Sequence, residues 1–115
     1  MSHQRWGDVP REQMNDAIVR QYVTGDRVTV ARLEMKRGGI VGEHAHENEQ
    51  VSLVMSGSLK FTMQGRDIIV GAGELLQIPG GVPHAVEVLE DSITIDVFSP
   101  VRQDWIDKTD TYFKR

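Results

Sequence analysis

Short runs of alternating apolar and polar residues, separated by glycines, occupy the chain from residue 17 to residue 98. Such alternation predicts strands that turn one face to a core and the other to water. The predicted strands are 17–23, 27–35, 50–56, 59–63, 67–70, 75–78, 84–89 and 92–98. Strands of this length, joined by glycine turns, are typical of an antiparallel sandwich or barrel, so we expect an all-β fold.

The two ends of the chain differ from this middle part. The first sixteen residues are polar, and one short helical turn is expected at 11–15. Near the other end we expect one helical turn over 102–106 and a loosely packed extension, in which Trp105, Tyr112 and Phe113 serve as packing or subunit contacts. We therefore predict a single domain over 1–115, made of an arm (1–16), a barrel (17–98) and a tail (99–115).

Composition excludes several classes of function. The net charge is −4 and no basic block is present, which argues against a nucleic-acid partner. The absence of cysteine excludes disulfides, thiolate zinc sites and cysteine nucleophiles, and it fits a reducing cytosol. No apolar run approaches the roughly 20 residues that span a membrane, and the start of the chain has no hydrophobic signal region. We expect a soluble cytoplasmic protein.

The last predicted strand carries candidate chemistry on one face. Thr94, Asp96 and Phe98 share a face, and the chain then turns towards Arg102. If this face lines the barrel, Asp96 could transfer protons, particularly if burial raises its pKa. Arg102 could bind a carboxylate through two parallel hydrogen bonds. The alternative is an ordinary edge strand whose polar side faces water.

Three histidines are candidates for metal binding. His44 and His46 are two positions apart, which places them on one face of a strand, and the same parity reaches Gln50 and Ser52. His84 follows the glycine- and proline-rich turn PGGVP, which would deliver it at the start of a strand. Imidazole is the commonest side-chain ligand of divalent transition metals. The alternative is a solvated loop that happens to contain histidine.

The spacing around these histidines resembles the two motifs of the cupin family. The first is Gly38, five residues, His44-Ala-His46, three residues, Gln50, six residues and Gly57, with glutamine where cupins usually have glutamate. The second is Gly73, five residues, Pro79-Gly-Gly81, two residues and His84, with Val88 where asparagine is frequent. The resemblance implies a single-domain cupin, a jelly-roll barrel, with one divalent transition metal ion (Ni, Zn, Mn or Fe) held by His44, His46, Gln50 and His84.

Glutamine at position 50 changes the expected chemistry. It keeps an oxygen ligand but leaves the ligand set neutral, so a bound ion would retain its full charge and attract anions. The set also lacks the carboxylate of the two-histidine, one-carboxylate iron oxygenases. Alternatively, Gln50 is only a hydrogen-bonding neighbour of the ligands, or the site binds no metal.

The segment from Asp96 to Arg102, followed by Asp104-Trp105, resembles the C-terminal signature of KdgF-type pectin-degradation cupins. This resemblance implies a metal-dependent enzyme that converts 4,5-unsaturated monouronates from pectin or alginate to the linear ketone, with Asp96 and Arg102 catalytic and Phe98 and Arg102 binding substrate. It also implies a homodimer, for which Trp6 and Trp105 are candidate contacts. Two alternatives stay open: a dioxygenase-type cupin, and a non-catalytic cupin that binds a small anion or sugar.

Overall fold

The computed structural model describes residues 1–113 and consists mainly of β-strands, which confirms the all-β prediction. A 3-10 turn covers Trp6–Asp8 and a single helix, α1, covers Gln103–Ile106, close to the predicted helical turn. The helical turn expected at 11–15 is wrong, because that stretch contains a short edge strand. The strands are β1 (Glu12–Gln13), β2 (Ile18–Thr24), β3 (Thr29–Met35), β4 (Ile40–His44), β5 (Glu49–Met63), β6 (Arg66–Gly71), β7 (Leu75–Ile78) and β8 (His84–Ser99).

The strands pair antiparallel in the order β1-β2-β3-β8-β5-β6, with β4 on β8 and β7 on β5. Two long strands, β5 and β8, each replace two shorter predicted ones. In β5 the chain passes through bulges between Val54 and Leu59 instead of turning, and Gly57 supplies a left-handed φ of 87°. Strand β4 was missed, because glycine and charged residues interrupt its apolar pattern. The sheet curls on itself and encloses the core.

The inward-facing positions of the strands form one hydrophobic core. Large side chains from five strands, among them Leu33, Val54, Leu59, Phe61 and Phe98, are almost fully buried. Alternate positions on β8 also face inward, but several of these are polar. Thr94 is 1% exposed, so the expectation that this face lines the barrel is correct.

The tail is more closely packed than the sequence indicates. Trp105 is 2% exposed, and the guanidinium carbons of Arg20 and Arg102 lie 4.2 and 4.3 Å from its ring centroid. Asp110 forms an ion pair with Arg20 at 3.1 Å. Trp105 is therefore a packing residue, and its burial removes it as a candidate dimer contact. The last two residues of the predicted tail lie outside the described part of the chain.

Within residues 1–113, no helix has the length and apolar character needed to cross a membrane.

Replacing Gly57 with alanine should destabilise the barrel strongly. A Cβ atom there would lie 2.1 Å from Ser92 Oγ and 2.4 Å from the Asp91 carbonyl oxygen, at a φ of 87°. We expect a loss of about 3 kcal/mol of unfolding free energy, measured by urea denaturation. Gly65 is the matched control, since its φ is 70° but a Cβ would meet nothing within 4 Å.

Gly65→Ala should therefore lose only about 1 kcal/mol, the cost of the left-handed backbone alone. Equal losses in the two variants would contradict the close approach of β5 and β8 at Gly57.

Candidate metal centre

Three imidazole rings meet at one end of the barrel. One ring nitrogen from each of His44, His46 and His84 lies within 4.8 Å of the others. His44 is the last residue of β4 and His84 is the first residue of β8, and the two residues are register partners. His46 lies in the loop beyond β4. The three histidines singled out from the sequence thus lie close together, but the parity argument placed His46 on a strand that has already ended.

Hydrogen bonds to the backbone fix which nitrogen of each ring is free. The Nδ1 atoms of His44, His46 and His84 lie 2.8, 3.0 and 2.8 Å from the carbonyl oxygens of Gly42, Asn48 and Val82. A carbonyl oxygen can only accept, so each Nδ1 carries the proton and donates it. In the neutral rings all three Nε2 atoms therefore keep a free lone pair, the state that a metal ligand requires.

Gln50 places a fourth acceptor against this cluster. It lies on β5, is 6% exposed, and its Oε1 atom is 3.1 Å from Nε2 of His46. The amide nitrogen donates to Ser52 Oγ at 2.9 Å, which orients the oxygen towards the histidine. Two acceptors that face each other repel unless a proton or a cation lies near them.

Burial makes protonation of the histidines the less favourable way to relieve this repulsion. Removal from water lowers the pKa of His44 to about 3 and that of His46 to about 4, and it also lowers the pKa of His84. All three rings are thus neutral near pH 7. Nε2 of His84 is in addition fully buried and has no hydrogen-bond partner among the described residues. Three imidazole nitrogens and an amide oxygen are a donor set that suits a divalent transition metal ion, so the residues fit the metal expected from the sequence.

Asp96 and Thr94 contribute polar atoms to the same cavity. Asp96 pairs with Ser52 across β8 and β5, and its Oδ1 atom is buried with no partner in the described chain. Burial raises the pKa of Asp96 to about 6, against the opposing effects of the Ser52 hydroxyl and the Arg102 charge. Oγ1 of Thr94 is likewise buried and unpartnered. Near neutral pH, Asp96 can therefore both hold and release a proton.

Phe98 and Arg102 also line the cavity, but Arg102 is already engaged. Its Nε and Nη2 atoms donate to the two carboxylate oxygens of Asp104 at 2.9 and 2.8 Å, and Nη2 also donates to the Tyr112 hydroxyl. The guanidinium carbon lies 4.6 Å from the ring centroid of Phe98. Arg102 was expected to donate two parallel hydrogen bonds to a ligand carboxylate, but it donates them to Asp104 of the same chain.

Tyr112 lines the site, although the sequence reasoning treated it only as a packing residue or subunit contact. Its ring stacks on the imidazole of His44, with centroids 3.9 Å apart and planes 6° from parallel. Its hydroxyl accepts hydrogen bonds from Arg102 and from Trp105 Nε1, the latter at 2.7 Å. No periodic pattern in the tail predicts this contact. The adjacent aromatic residues at 112–113 were the only feature of the sequence that pointed to a packed tail.

The cavity between these residues is small. Its volume is about 40 Å³, and its walls include the imidazoles of His44 and His84 together with the side chains of Asp96, Arg102 and Tyr112. That space corresponds to about three water molecules.

A family model described as Cupin domain matches residues 31–98, more than half of the chain. The chain belongs to the cupin family. This cupin is 29% identical over 102 residues to the pectin degradation protein KdgF of Dickeya dadantii, a match that covers 86% of this chain and 93% of that protein. It is 28% identical over 81 residues to oxalate decarboxylase OxdC of Bacillus subtilis, but there it covers only 21% of the relative.

Solved structures agree with the cupin fold. The structure of KdgF from Halomonas sp. superimposes with a TM-score of 0.79 at 24% identity, over 86% of this chain and 94% of that one. An RmlC-like cupin from Shewanella frigidimarina superimposes with a TM-score of 0.82 at 25% identity, over 89% and 93% of the two chains. The predicted fold and the resemblance to KdgF-type cupins are both confirmed.

Removing one imidazole should abolish tight metal binding. We expect His84→Ala to weaken the affinity for Ni²⁺ or Zn²⁺ by more than the roughly 10–100-fold that loss of an outer hydrogen-bond partner costs. Competition with a chromogenic chelator measures this change. His3→Ala, at an exposed position, is the control and should bind as tightly as the unaltered chain. Equal affinity in both variants would disprove the three-histidine site.

Thr94→Val should stabilise the metal-free protein, because it removes a buried hydroxyl that has no hydrogen-bond partner within residues 1–113. We expect a gain of about 1 kcal/mol in unfolding free energy from urea denaturation. Thr29→Val is the matched control. Thr29 is also fully buried, but its hydroxyl accepts a hydrogen bond from the Arg102 backbone N–H at 3.0 Å, so that variant should lose stability. A loss in both variants would show that the Thr94 hydroxyl is satisfied.

Proposed function

We propose that this cupin is a metal-dependent enzyme that converts 4,5-unsaturated monouronates, as released from pectin or alginate, to the linear ketone. The observation that carries the proposal is the buried carboxylate of Asp96, whose Oδ1 atom has no partner among the described residues, in the cavity that His44 and His84 also line. The likeness to a relative named for pectin degradation supports the choice of substrate class.

The reaction needs proton movement and no oxidant. In the cyclic substrate, the anomeric hydroxyl loses a proton, the bond between C1 and the ring oxygen breaks, and the ring oxygen takes up a proton, which gives an aldehyde and an enol. Protonation of C4 and loss of the proton on the enol oxygen then give the ketone, so the product is an isomer of the substrate. A group with a pKa near neutrality, such as Asp96, suits the delivery of that proton.

A bound metal ion would supply positive charge that attracts the uronate and stabilises negative charge developing on oxygen. The neutral donor set of His44, His46, Gln50 and His84 would leave that charge undiminished. The backbone carbonyls that accept from the Nδ1 atoms keep the rings oriented towards the cavity. Among residues 1–113, Arg102 is the only lysine or arginine that lines the cavity.

Phe98 and Arg102 would line the substrate-binding site. The Phe98 ring lies edge-on to His46, with centroids 5.7 Å apart, and gives the sugar ring an apolar surface. Arg102 would bind the substrate carboxylate in exchange for one of its present partners, Asp104 or Tyr112. A homodimer and a cytoplasmic location complete the proposal, and Trp6, which is half-buried, stays a candidate subunit contact.

The small cavity favours a second candidate function. A volume of about 40 Å³ suits a small anion better than a sugar acid, so a cupin that binds such an anion without turning it over is the alternative. Binding of an unsaturated uronate without chemical change would support this second candidate.

The test follows the ultraviolet absorbance of an unsaturated galacturonate, whose conjugated double bond is lost on conversion to the ketone. Addition of the metal-loaded protein should accelerate that loss, and a chelator should abolish the acceleration. Asp96→Asn should lower kcat by about 100-fold or more, since it removes a proton-transferring group while keeping the shape of the side chain.

Asp26→Asn is the matched control: the same substitution at an exposed turn residue should leave the rate unchanged. If protein shown to contain metal does not accelerate the loss of absorbance, the uronate function is wrong. Oxygen uptake by an iron-loaded sample would instead indicate the dioxygenase alternative.

A further inference from the structure

The C-terminal segment 107–113, which follows α1, forms part of the cavity wall. Tyr112 and Phe113 from this segment line the cavity, and Tyr112 covers one face of the His44 ring. The remaining space fits about three water molecules, far less than a monouronate occupies. A sugar acid therefore does not fit inside the cavity while the segment keeps this position.

Side chains hold the segment down more than the backbone does. Asp110 pairs with the buried Arg20, and Lys108 Nζ pairs with Glu12 at 2.8 Å. Among the described residues, the segment has one backbone hydrogen bond to a strand, from Gly42 N–H to the Tyr112 carbonyl oxygen at 3.1 Å. A segment with so few backbone links can open locally while the barrel stays folded.

We propose that segment 107–113 is a lid over the metal centre and that Tyr112 is the residue that sets the size of the acid admitted. The lid lifts as a unit about α1, takes the Tyr112 ring off His44 and opens the cavity to a sugar acid. This part of the inference rests on the proposed function, whereas the opening itself does not.

Lifting the lid also changes the electrostatics of the site. Tyr112 leaves the hydrogen bond from Arg102 Nη2, and that donor becomes available to an incoming carboxylate. The same movement would thus open the cavity and free an anion-binding group. Small anions need neither change, since His44 and His46 are already half-exposed.

Amide hydrogen exchange of Gly42, followed by NMR, tests the opening without any substrate. Its N–H is bonded only to the lid, whereas the nearby Val88 N–H is bonded to the Gly39 carbonyl oxygen within the barrel. We expect Gly42 to exchange at least about tenfold faster than Val88, because the lid opens more often than the sheet. Asp110→Asn should raise the Gly42 rate further and leave the Val88 rate unchanged.

Asp107→Asn is the matched control in the same segment, since Asp107 is exposed and bonded only to Gln103 within α1. It should leave both exchange rates as they are. Exchange of Gly42 and Val88 at one common rate, in the unaltered chain and in Asp110→Asn, would overturn the lid, because the segment would then open only with global unfolding.

A reversible crosslink tests whether the lid gates the sugar acid. The chain has no cysteine, so the double variant Glu12→Cys, Lys108→Cys offers the only two thiols to a short bis-thiosulfonate reagent. We expect the bridged protein to convert unsaturated galacturonate at least tenfold more slowly (a barrier about 1.4 kcal/mol higher), and reduction of the bridge to restore the rate. Each single variant treated with the same reagent is the control.

The two tests separate the possible failures. Unchanged conversion by the bridged protein would overturn the gating role and leave the uronate function standing. Absence of conversion in the unaltered chain would overturn the uronate function, and the exchange rate of Gly42 would still decide whether the lid exists.

Discussion

The pairing of β5 with β8 determines where the functional side chains lie. Its register sets Gln50 opposite Phe98 and Ser52 opposite Asp96, and all four side chains have atoms that face the interior. Because side chains alternate along a strand, a slip of one residue would turn this set outward and bring Val51 and Val97 in. The register shifts between β5 and β8 are confined to the stretch from Val54 to Leu59, away from the site, so the register near Gln50 stays regular.

The site combines groups that oppose one another in the metal-free chain. Neutral imidazoles and an amide oxygen present lone pairs to the same small space, and Thr94 and Asp96 each bury a polar atom that has no partner in the described part of the chain. Each such atom costs stability relative to a hydrogen-bonded one. The apolar walls of the barrel compensate, and a cation or a polar ligand would relieve the conflict. An arrangement of this kind is expected of a binding site more than of a structural core.

Periodicity and spacing predicted the barrel, the three histidines and the inward face of β8, since these depend on local rules. Periodicity did not predict the side-chain contacts that depend on tertiary packing. His46 lies in a loop, and its ring is directed by a hydrogen bond to the Asn48 carbonyl oxygen instead of by strand parity. Arg102 was expected to be free for a ligand, but Asp104, two residues on, binds it. Tyr112 reaches His44 from 68 positions away, and no local pattern encodes such a contact.

The separation of the four proposed ligands along the chain has a consequence for how the protein folds. Residues 44, 46, 50 and 84 come together only after β4 and β5 have both paired with β8, which requires closure of a long loop. The unfolded chain offers no preformed site, so a metal ion would bind only after these strand pairs have formed. A bound ion would then slow unfolding more than it speeds folding, and it would prolong the lifetime of the closed barrel.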